Sequence, residues 1–288
     1  MKLIGLIRAR CEEWCVGLSA RVALQYCDHL IIRLQGPLPD IFAMRGALFD
    51  EDGPDNQLHP KVTFLHDYSE TFEEVGQLQE LLVVGRALGG THFAIIDADE
   101  VASATLIPAA RGIAAKLQPG GVATVPMLYV RKNWMVPITG PWSNRDVAWI
   151  FADRPDLSYC GDQFHLRMPV NHDGRIKTHP GAPPILHLWG LDECRLIAKT
   201  RLIKMVERVR WPHKPLAQIE QRYSGAVRVN EETRVHLSPG RMIDPDLLAK
   251  HLHLDRKPWQ IAYARKLIAE HWRDYFTGLD LFEDLLPL

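Results

Sequence analysis

A short apolar run that ends in a cluster of carboxylates, within residues 91–100 (THFAIIDADE), constrains the fold of this chain most strongly. The apolar residues 93–96 come directly before Asp97, Asp99 and Glu100. A run of this length, bounded by polar residues, predicts a buried strand in the centre of a sheet. Alternate side chains of a strand lie on the same face, so we expect Asp97 and Asp99 to point the same way.

Two carboxylates on one face of a strand end repel each other unless a cation or hydrogen-bond donors compensate them. Oxygen ligands favour hard divalent cations, so the pair predicts a site for Mg²⁺ or Mn²⁺. The alternative is a polar loop with solvated acids, because a bare Asp-x-Asp pattern is short. The position directly after an apolar strand favours the metal site.

Length and composition place the chain among ordinary globular proteins. Its 288 residues are 47% hydrophobic and 24% charged, enough for one large α/β domain or two small ones. No apolar run approaches 18 residues, so we expect no membrane span. Charges follow the first apolar residues at once, which predicts a strand rather than a signal peptide. Five cysteines without a Cys-x-x-Cys pair predict reduced thiols in a cytoplasmic protein.

The net charge of −1 conceals an uneven distribution. Residues 1–110 contain 8 Lys/Arg against 16 Asp/Glu, whereas residues 111–275 contain 26 against 16. An acidic half that could hold a cation is thus followed by a basic half that could meet an anion.

Apolar patterns alternate between strand and helix over the first 130 residues. Strands are predicted at 2–7, 28–34, 61–65, 93–96, 122–130 and 147–151, and helices at 12–24, 72–88 and 103–117. This alternation predicts a mostly parallel sheet with helices on both faces, and ligands of such sheets bind beyond the carboxyl ends of the strands. Later helices are predicted at 193–210, 215–223, 245–252 and 257–275.

Two motifs follow predicted strands: residues 8–13 (RARCEE) after the first and Asp97–Glu100 (DADE) after the fourth. Together they resemble the family 2 glycosyltransferases with a GT-A fold, which show Ala-Arg-Asn-Glu-Glu and Asp-Ala-Asp-Glu at these places. Residues 159–166 (YCGDQFHL) and a later His187 match the second half of that family weakly. The resemblance implies an α/β, GT-A-like domain over residues 1–210 with a mostly parallel central sheet, and a helical C-terminal extension over 211–288.

The resemblance also implies a glycosyltransferase that uses a nucleotide-sugar donor and Mn²⁺ or Mg²⁺. Asp99 and His187 would bind the metal, and Asp97 would bind the ribose or a metal-bound water. The nucleotide pocket would be lined by Arg8, Arg10 and Glu12. His187 could equally be a hydrogen-bonded histidine at a strand end.

The chain departs from the family pattern at three positions. Cys11 replaces the asparagine of the first motif, and the second strand ends without the acid that contacts the base. Asp67, after the third strand, could replace that acid or could be a loop or capping aspartate. Leu166 stands where the family has a glutamate after His165.

An inverting transfer needs a general base for the acceptor proton, and Asp162 is the first candidate and His165 the second. Arg195 and Lys199, on a predicted basic helix, could contact an anionic acceptor, as could Arg131 and Lys132. Such an acceptor could be a cell-surface glycan, a lipid-linked phosphate or nucleic acid, including phage-type DNA modification. The alternatives are a non-catalytic GT-A-like protein that binds a polyanion and a nucleotidyltransferase, although the glycine-rich loop of the latter is missing.

Overall fold

The computed structural model describes residues 1–48, 60–71, 73–138, 143, 145–162, 166–177, 181–228 and 234–288. The chain forms two compact units, each built from three segments. The first unit contains Met1–Met127, Arg145–His187 and Ser238–His253, and the second contains Leu128–Asn144, Leu188–Leu237 and Leu254–Leu288. The division of the chain into domains 1–210 and 211–288 stays a prediction.

Four parallel strands form the part of the first unit that the sequence pattern predicts. They are β1 (Leu3–Arg10), β2 (His29–Gln35), β3 (Val62–Asp67) and β4 (His92–Asp97), in the spatial order β3-β2-β1-β4. Crossover helices connect them: α1 (Val16–Leu24), α2 (Leu38–Leu48) and α3 (Glu74–Ala87). The register pairs Arg8 with Arg33 on one side and with Asp97 on the other, so polar residues meet at the carboxyl ends of the strands.

The core of the first unit lies between the sheet and α3. Leu78, Leu81 and Leu82 recur at helical spacing and pack against Ile4 and Phe93 from the strands. All five side chains are fully buried. Burial of this kind, worth about 1.5–3 kcal/mol per large apolar side chain, holds the strand ends in place.

The sheet is mixed, so the prediction of a mostly parallel sheet was wrong. After β5 (Glu100–Ala102) and α4 (Ile107–Ala114), the chain forms β6 (Gly121–Arg131), β7 (Met135–Pro137) and β8 (Arg145–Ala152). β8 is antiparallel to both β4 and β6. The described residues between β6 and β8 form a single 3₁₀ turn and β7 and include no crossover helix, which is the usual connection between parallel strands.

Two further strands complete the first unit. β9 (Gly174–Lys177) runs parallel to β6, and β10 (Ile185–Gly190) pairs antiparallel with β5. Both β6 and β10 begin in the first unit and end in the second.

The second unit contains the ends of β6 and β10, a short ladder of strands and three of the longer helices. β7 pairs antiparallel with the end of β6 and with β11 (Arg234–His236). The helices are α5 (Glu193–Arg210), α6 (Leu216–Val227) and α9 (Gln260–His271). Asp192 caps α5, because its side chain accepts hydrogen bonds from the amides of Cys194 and Arg195.

Two short helices near the carboxyl end belong to the first unit, namely α7 (Pro239–Met242) and α8 (Pro245–His251). Ala104 N donates to Met242 O at 2.7 Å, and His253 N donates to Trp14 O at 2.8 Å. Within the residues described, no helix is both long and apolar enough to span a bilayer.

Candidate active site

The carboxyl ends of β1 and β4 bring together the two motifs that the sequence separates by about ninety positions. Arg8 Nη2 lies 3.3 Å from Asp97 Oδ1, and Arg8 Nη1 lies 3.5 Å from Glu74 Oε1. Parallel pairing of β1 with β4 produces this contact directly, because Arg8 and Asp97 are register partners. The two motifs therefore lie side by side at the carboxyl ends of neighbouring strands.

A second guanidinium reaches Asp97 from a later loop. Arg167 Nη1 lies 3.1 Å from Asp97 Oδ2, so each carboxylate oxygen of Asp97 has its own arginine. Arg167 also donates to the main-chain oxygens of Ile95 and Ala148, at 3.1 and 3.0 Å. These bonds anchor the guanidinium to β4 and β8, so its position beside Asp97 is fixed by the sheet.

Glu100 is the other carboxylate that Arg167 holds. The pair is bidentate, with Nη1–Oε1 at 2.7 Å and Nη2–Oε2 at 2.8 Å, and only 3% of the glutamate side chain is exposed. Burial raises the pKa of Glu100 to about 7, while Arg167 acts in the opposite direction by stabilising the carboxylate. Glu100 therefore has a structural partner and is not aimed at solvent.

Asp99 and His187 form a separate pair. Pairing of β5 with β10 places His187 opposite Glu100, and His187 Nε2 lies 4.0 Å from Asp99 Oδ1. The side chains are 14% and 5% exposed, respectively. The turn between Asp97 and Glu100 separates the two aspartates, so Asp97 faces arginines whereas Asp99 faces the histidine.

The carboxylate of Asp99 and the imidazole of His187 are both metal-ligand groups, so this pair could contribute two ligands to a divalent cation. Each metal–ligand bond is about 2.1 Å long, so two donors on one ion lie at most about 4.2 Å apart, and 4.0 Å is within that limit. Mg²⁺ is commonly held by one or two protein ligands, with substrate phosphates and water completing the shell. Across the described ranges, no cluster of three or more His, Cys, Asp or Glu side chains could hold a metal.

The predicted nucleotide-pocket residues Arg10, Glu12 and Asp67 lie at or just beyond the carboxyl ends of β1 and β3, and each contacts a neighbouring residue. Arg10 Nη2 donates to Glu70 O at 2.8 Å, and the Glu12 carboxylate accepts a hydrogen bond from the indole of Trp14.

Asp67 lies 2.9 Å from Arg33 and accepts the Ser69 amide at 2.9 Å. Its pKa is lowered because hydrogen bonds from Ser69 and Arg33 outweigh the opposing effect of burial, so a stable carboxylate remains at this edge.

Cys11 sits at a special backbone position. Its φ is +51°, in the left-handed region where asparagine is several-fold enriched among non-glycine residues. The buried thiol lies 3.5 Å from Asp40 Oδ2, and burial raises the pKa of the thiol, so it stays a protonated donor. The left-handed backbone therefore favours asparagine over cysteine at this position.

The remaining candidates have different surroundings. Asp162 is exposed, and His165 lies outside the described residues. Arg195 is 1% exposed and donates to Arg256 O at 2.7 Å, which gives it a packing role, whereas Lys199 is half-buried over the indole of Trp189. Their roles as base and acceptor ligands stay predictions.

Sequence reasoning missed Arg167. Two carboxylates at the end of a buried strand require compensation, and this requirement was recognised. We expected a metal ion to compensate the negative charges. For Asp97 and Glu100, the guanidinium of Arg167, seventy residues after Asp97, does so instead. Nothing local to Arg167 distinguishes it from the other arginines of the basic half.

No model of a known protein family matches this chain, and no curated protein does. Among solved structures it is similar to S. aureus TarS residues 1–349, at 12% identity and TM-score 0.34, over 96% of this chain and 90% of that one. It is also similar to HddC from Yersinia pseudotuberculosis, at 12% identity and TM-score 0.30, over 53% of this chain and 74% of that one. A third is mannose-1-phosphate geranyltransferase from Thermus thermophilus, at 12% identity and TM-score 0.33, over 78% and 68%. Likenesses this distant carry no argument about function.

Proposed function

We propose that this chain is a metal-dependent, inverting glycosyltransferase that moves a sugar from a nucleotide-sugar donor to an anionic acceptor. One observation carries the proposal: Asp99 and His187 lie 4.0 Å apart beyond β4, next to an Asp97 fixed by Arg8 and Arg167. Diphosphate groups and a divalent cation both suit the carboxyl ends of the parallel strands.

The residues divide into ion-holding and donor-holding groups. Asp99 and His187 would hold Mn²⁺ or Mg²⁺, which supplies charge neutralisation for a diphosphate leaving group when bound. Asp97 cannot serve the same ion freely, because both of its oxygens already face guanidinium groups. Its proposed role is to orient the ribose while Arg8 and Arg167 hold its carboxylate in place.

The donor pocket would extend from the Asp99–His187 pair toward the carboxyl ends of β2 and β3. Arg10, Glu12 and Asp67 border that edge, and the Asp67 carboxylate is held ionised by Arg33. An ionised acid could accept hydrogen bonds from a base or a ribose. The general base would be Asp162, whose exposed carboxylate could take the acceptor proton, or His165.

A thermal-shift and calorimetry panel tests the donor site. Nucleoside diphosphates and sugar nucleotides are added with Mn²⁺ or with chelator to the wild type, Asp99→Asn, His187→Gln and, as a control, Asp246→Asn on the exposed start of α8. A ligand that binds only the folded protein raises the melting temperature by mass action. We expect a metal-dependent shift with one nucleotide, lost in the two site variants and kept in the control. A shift that is equal in wild type and Asp99→Asn contradicts the metal assignment.

A non-catalytic protein that binds a polyanion is the second candidate. The observation that favours it is the neutralisation of Asp97 by two arginines, which leaves two ion-holding side chains. Incubation with the donor that binds separates the two proposals. Release of the nucleoside diphosphate, with the sugar transferred to an added acceptor or to water, supports the transferase, whereas binding without any turnover supports the second candidate.

A further inference from the structure

Arg131, the last residue of β6, is a buried cation that the donor site does not use. Only 3% of the residue is exposed. Within the described part of the chain, none of its three guanidinium nitrogens has a hydrogen-bond partner. Buried charges in proteins are ordinarily paired, because desolvation of an isolated ion is costly. An arginine in this state indicates that its counter-charge is supplied by a ligand.

The surroundings of Arg131 within the second unit add positive charge. Burial and, to a smaller extent, the nearby Arg234 on β11 together lower the pKa of Arg131 to about 10. The guanidinium carbon lies 6.0 Å from the ring centre of Trp189, and Lys199 Nζ lies 5.5 Å from the same ring. Cation–π contacts of this kind offset only part of the charge, so the local field favours an anion.

Gly190 leaves room for the Arg131 side chain, because glycine has no Cβ atom. A Cβ atom at Gly190 would lie 2.8 Å from Arg131 Cδ and 2.7 Å from Val130 O. Both distances are shorter than ordinary van der Waals contact, so a side chain at position 190 would displace the arginine. The end of β10 therefore packs around this conformation of Arg131.

We propose that Arg131 and Arg234 bind a phosphate group. A planar guanidinium presents up to five donors in a fork that matches phosphate or carboxylate oxygens. Two guanidinium groups match the charge of a phosphomonoester dianion better than that of a monovalent carboxylate. Because Arg131 is almost fully buried, neighbouring side chains must move to admit the ligand. We therefore expect the association rate constant to lie below the range that is usual for diffusional binding. This inference does not rest on the proposed donor site.

Calorimetric titration without metal or nucleotide tests the site. Inorganic phosphate, glycerol 3-phosphate, dimethyl phosphate and acetate are compared at constant ionic strength and pH 7.5, where a phosphomonoester is largely a dianion. The variants are Arg131→Met and, as a matched control, Arg265→Met on the exposed face of α9. We expect the wild type and the control to bind phosphate, and Arg131→Met to bind at least about tenfold more weakly.

The ligands separate the sources of the phosphate. Preference for inorganic phosphate and the monoester over the diester indicates a terminal phosphate, whereas equal binding of the diester indicates a phosphodiester backbone. Acetate that binds as tightly as phosphate overturns the assignment to phosphate. Absence of phosphate binding by the wild type, or unchanged binding by Arg131→Met, overturns the site.

Stability without ligand provides an independent readout. Removal of an unpaired buried charge should leave the melting temperature of Arg131→Met equal to or above that of the wild type in phosphate-free buffer. Phosphate should then raise the melting temperature of the wild type alone. If Arg131→Met does not fold, Arg234→Met decides: weaker phosphate binding supports the site, and binding equal to the wild type overturns it.

Discussion

Arg167 holds Glu100 through two parallel contacts, with Nη1–Oε1 at 2.7 Å and Nη2–Oε2 at 2.8 Å, at the start of β5, directly after Asp97 and Asp99. The acid cluster is thus partly an ion-pair network and partly a candidate metal site. Breaking a buried pair leaves the remaining charge without compensation. The network is therefore expected to matter for folding as well as for binding.

Replacement of Arg167 by methionine should destabilise the protein by about 3 kcal/mol, because Glu100 would lose its bidentate partner and Asp97 would lose one of its two arginines. Urea denaturation followed by circular dichroism measures the change. Arg154→Met is the control, since its partners Asp156 and Asp173 are more than half exposed and the loss should be much smaller. Adding Glu100→Gln to Arg167→Met should recover part of the stability, and a further loss of similar size would argue against the pair.

Simultaneous replacement of Asp99 and His187 should show that the two side chains act on one ion. Removing either ligand is expected to weaken Mn²⁺-dependent nucleotide binding by more than about tenfold, since loss of even an outer-shell partner costs 10–100-fold. The double variant should then be little worse than either single variant, because one ligand alone holds the ion poorly. Titration of Mn²⁺ in the presence of the nucleotide measures this, and strictly multiplicative effects would indicate two independent roles.

Cys11→Asn should stabilise the protein by about 1 kcal/mol. A left-handed φ costs a typical L-residue about 1–2 kcal/mol, and asparagine adopts this region more readily than cysteine does. The asparagine amide would also have Asp40 Oδ2 and Gln35 O within reach, where the thiol now lies. Cys11→Ser is the matched control, since it keeps the side-chain size without the conformational preference. Equal stability of the two variants would show that the backbone at this position is not strained.

The contribution of His29 and His92 to stability should be lost as the pH falls below about 6.5, because both titrate with lowered pKa values. Burial disfavours the charged imidazole in both cases, so each folded-state pKa lies below the ordinary value of 6.5. The unfolded chain therefore binds protons first, and the contribution that is complete above pH 6.5 is lost on acidification. Melting temperatures between pH 5 and 7.5 should fall less steeply for His29→Gln than for wild type. His213→Gln, at an exposed position, should keep the wild-type slope.

The sequence predicted the parallel half of the sheet because each strand there is a separate apolar run followed by a helix. The predicted helix 193–210 coincides with α5 (Glu193–Arg210), since its apolar spacing and the Asp192 cap point to the same start. The antiparallel β8 was misread because strand direction is set by the connection, and an apolar run carries no direction.

The sequence allowed us to predict the acidic residues of the candidate site, but not the arginines that the fold buries or pairs with them. Asp97, Asp99 and Glu100 follow a buried strand, a pattern that local sequence records. Arg167 and Arg131 are individual arginines in a basic half of the chain, and only the fold shows that Arg131 is buried and that the Arg167 side chain is 16% exposed. His187 was placed beside Asp99 by the resemblance, and the β5–β10 pairing supplies the geometry.

The interleaved path of the chain determines how the protein can be cut. Ser238–His253 belongs to the same unit as the first strands, with Met242 and His253 bonded to Ala104 and Trp14. A fragment that stops at residue 210 would lack that segment and would expose the surface of α1 that α8 covers. Neither unit can therefore be made as one continuous stretch of chain. Separate expression would require rejoining the segments in a new order, with short linkers replacing the excursions between them.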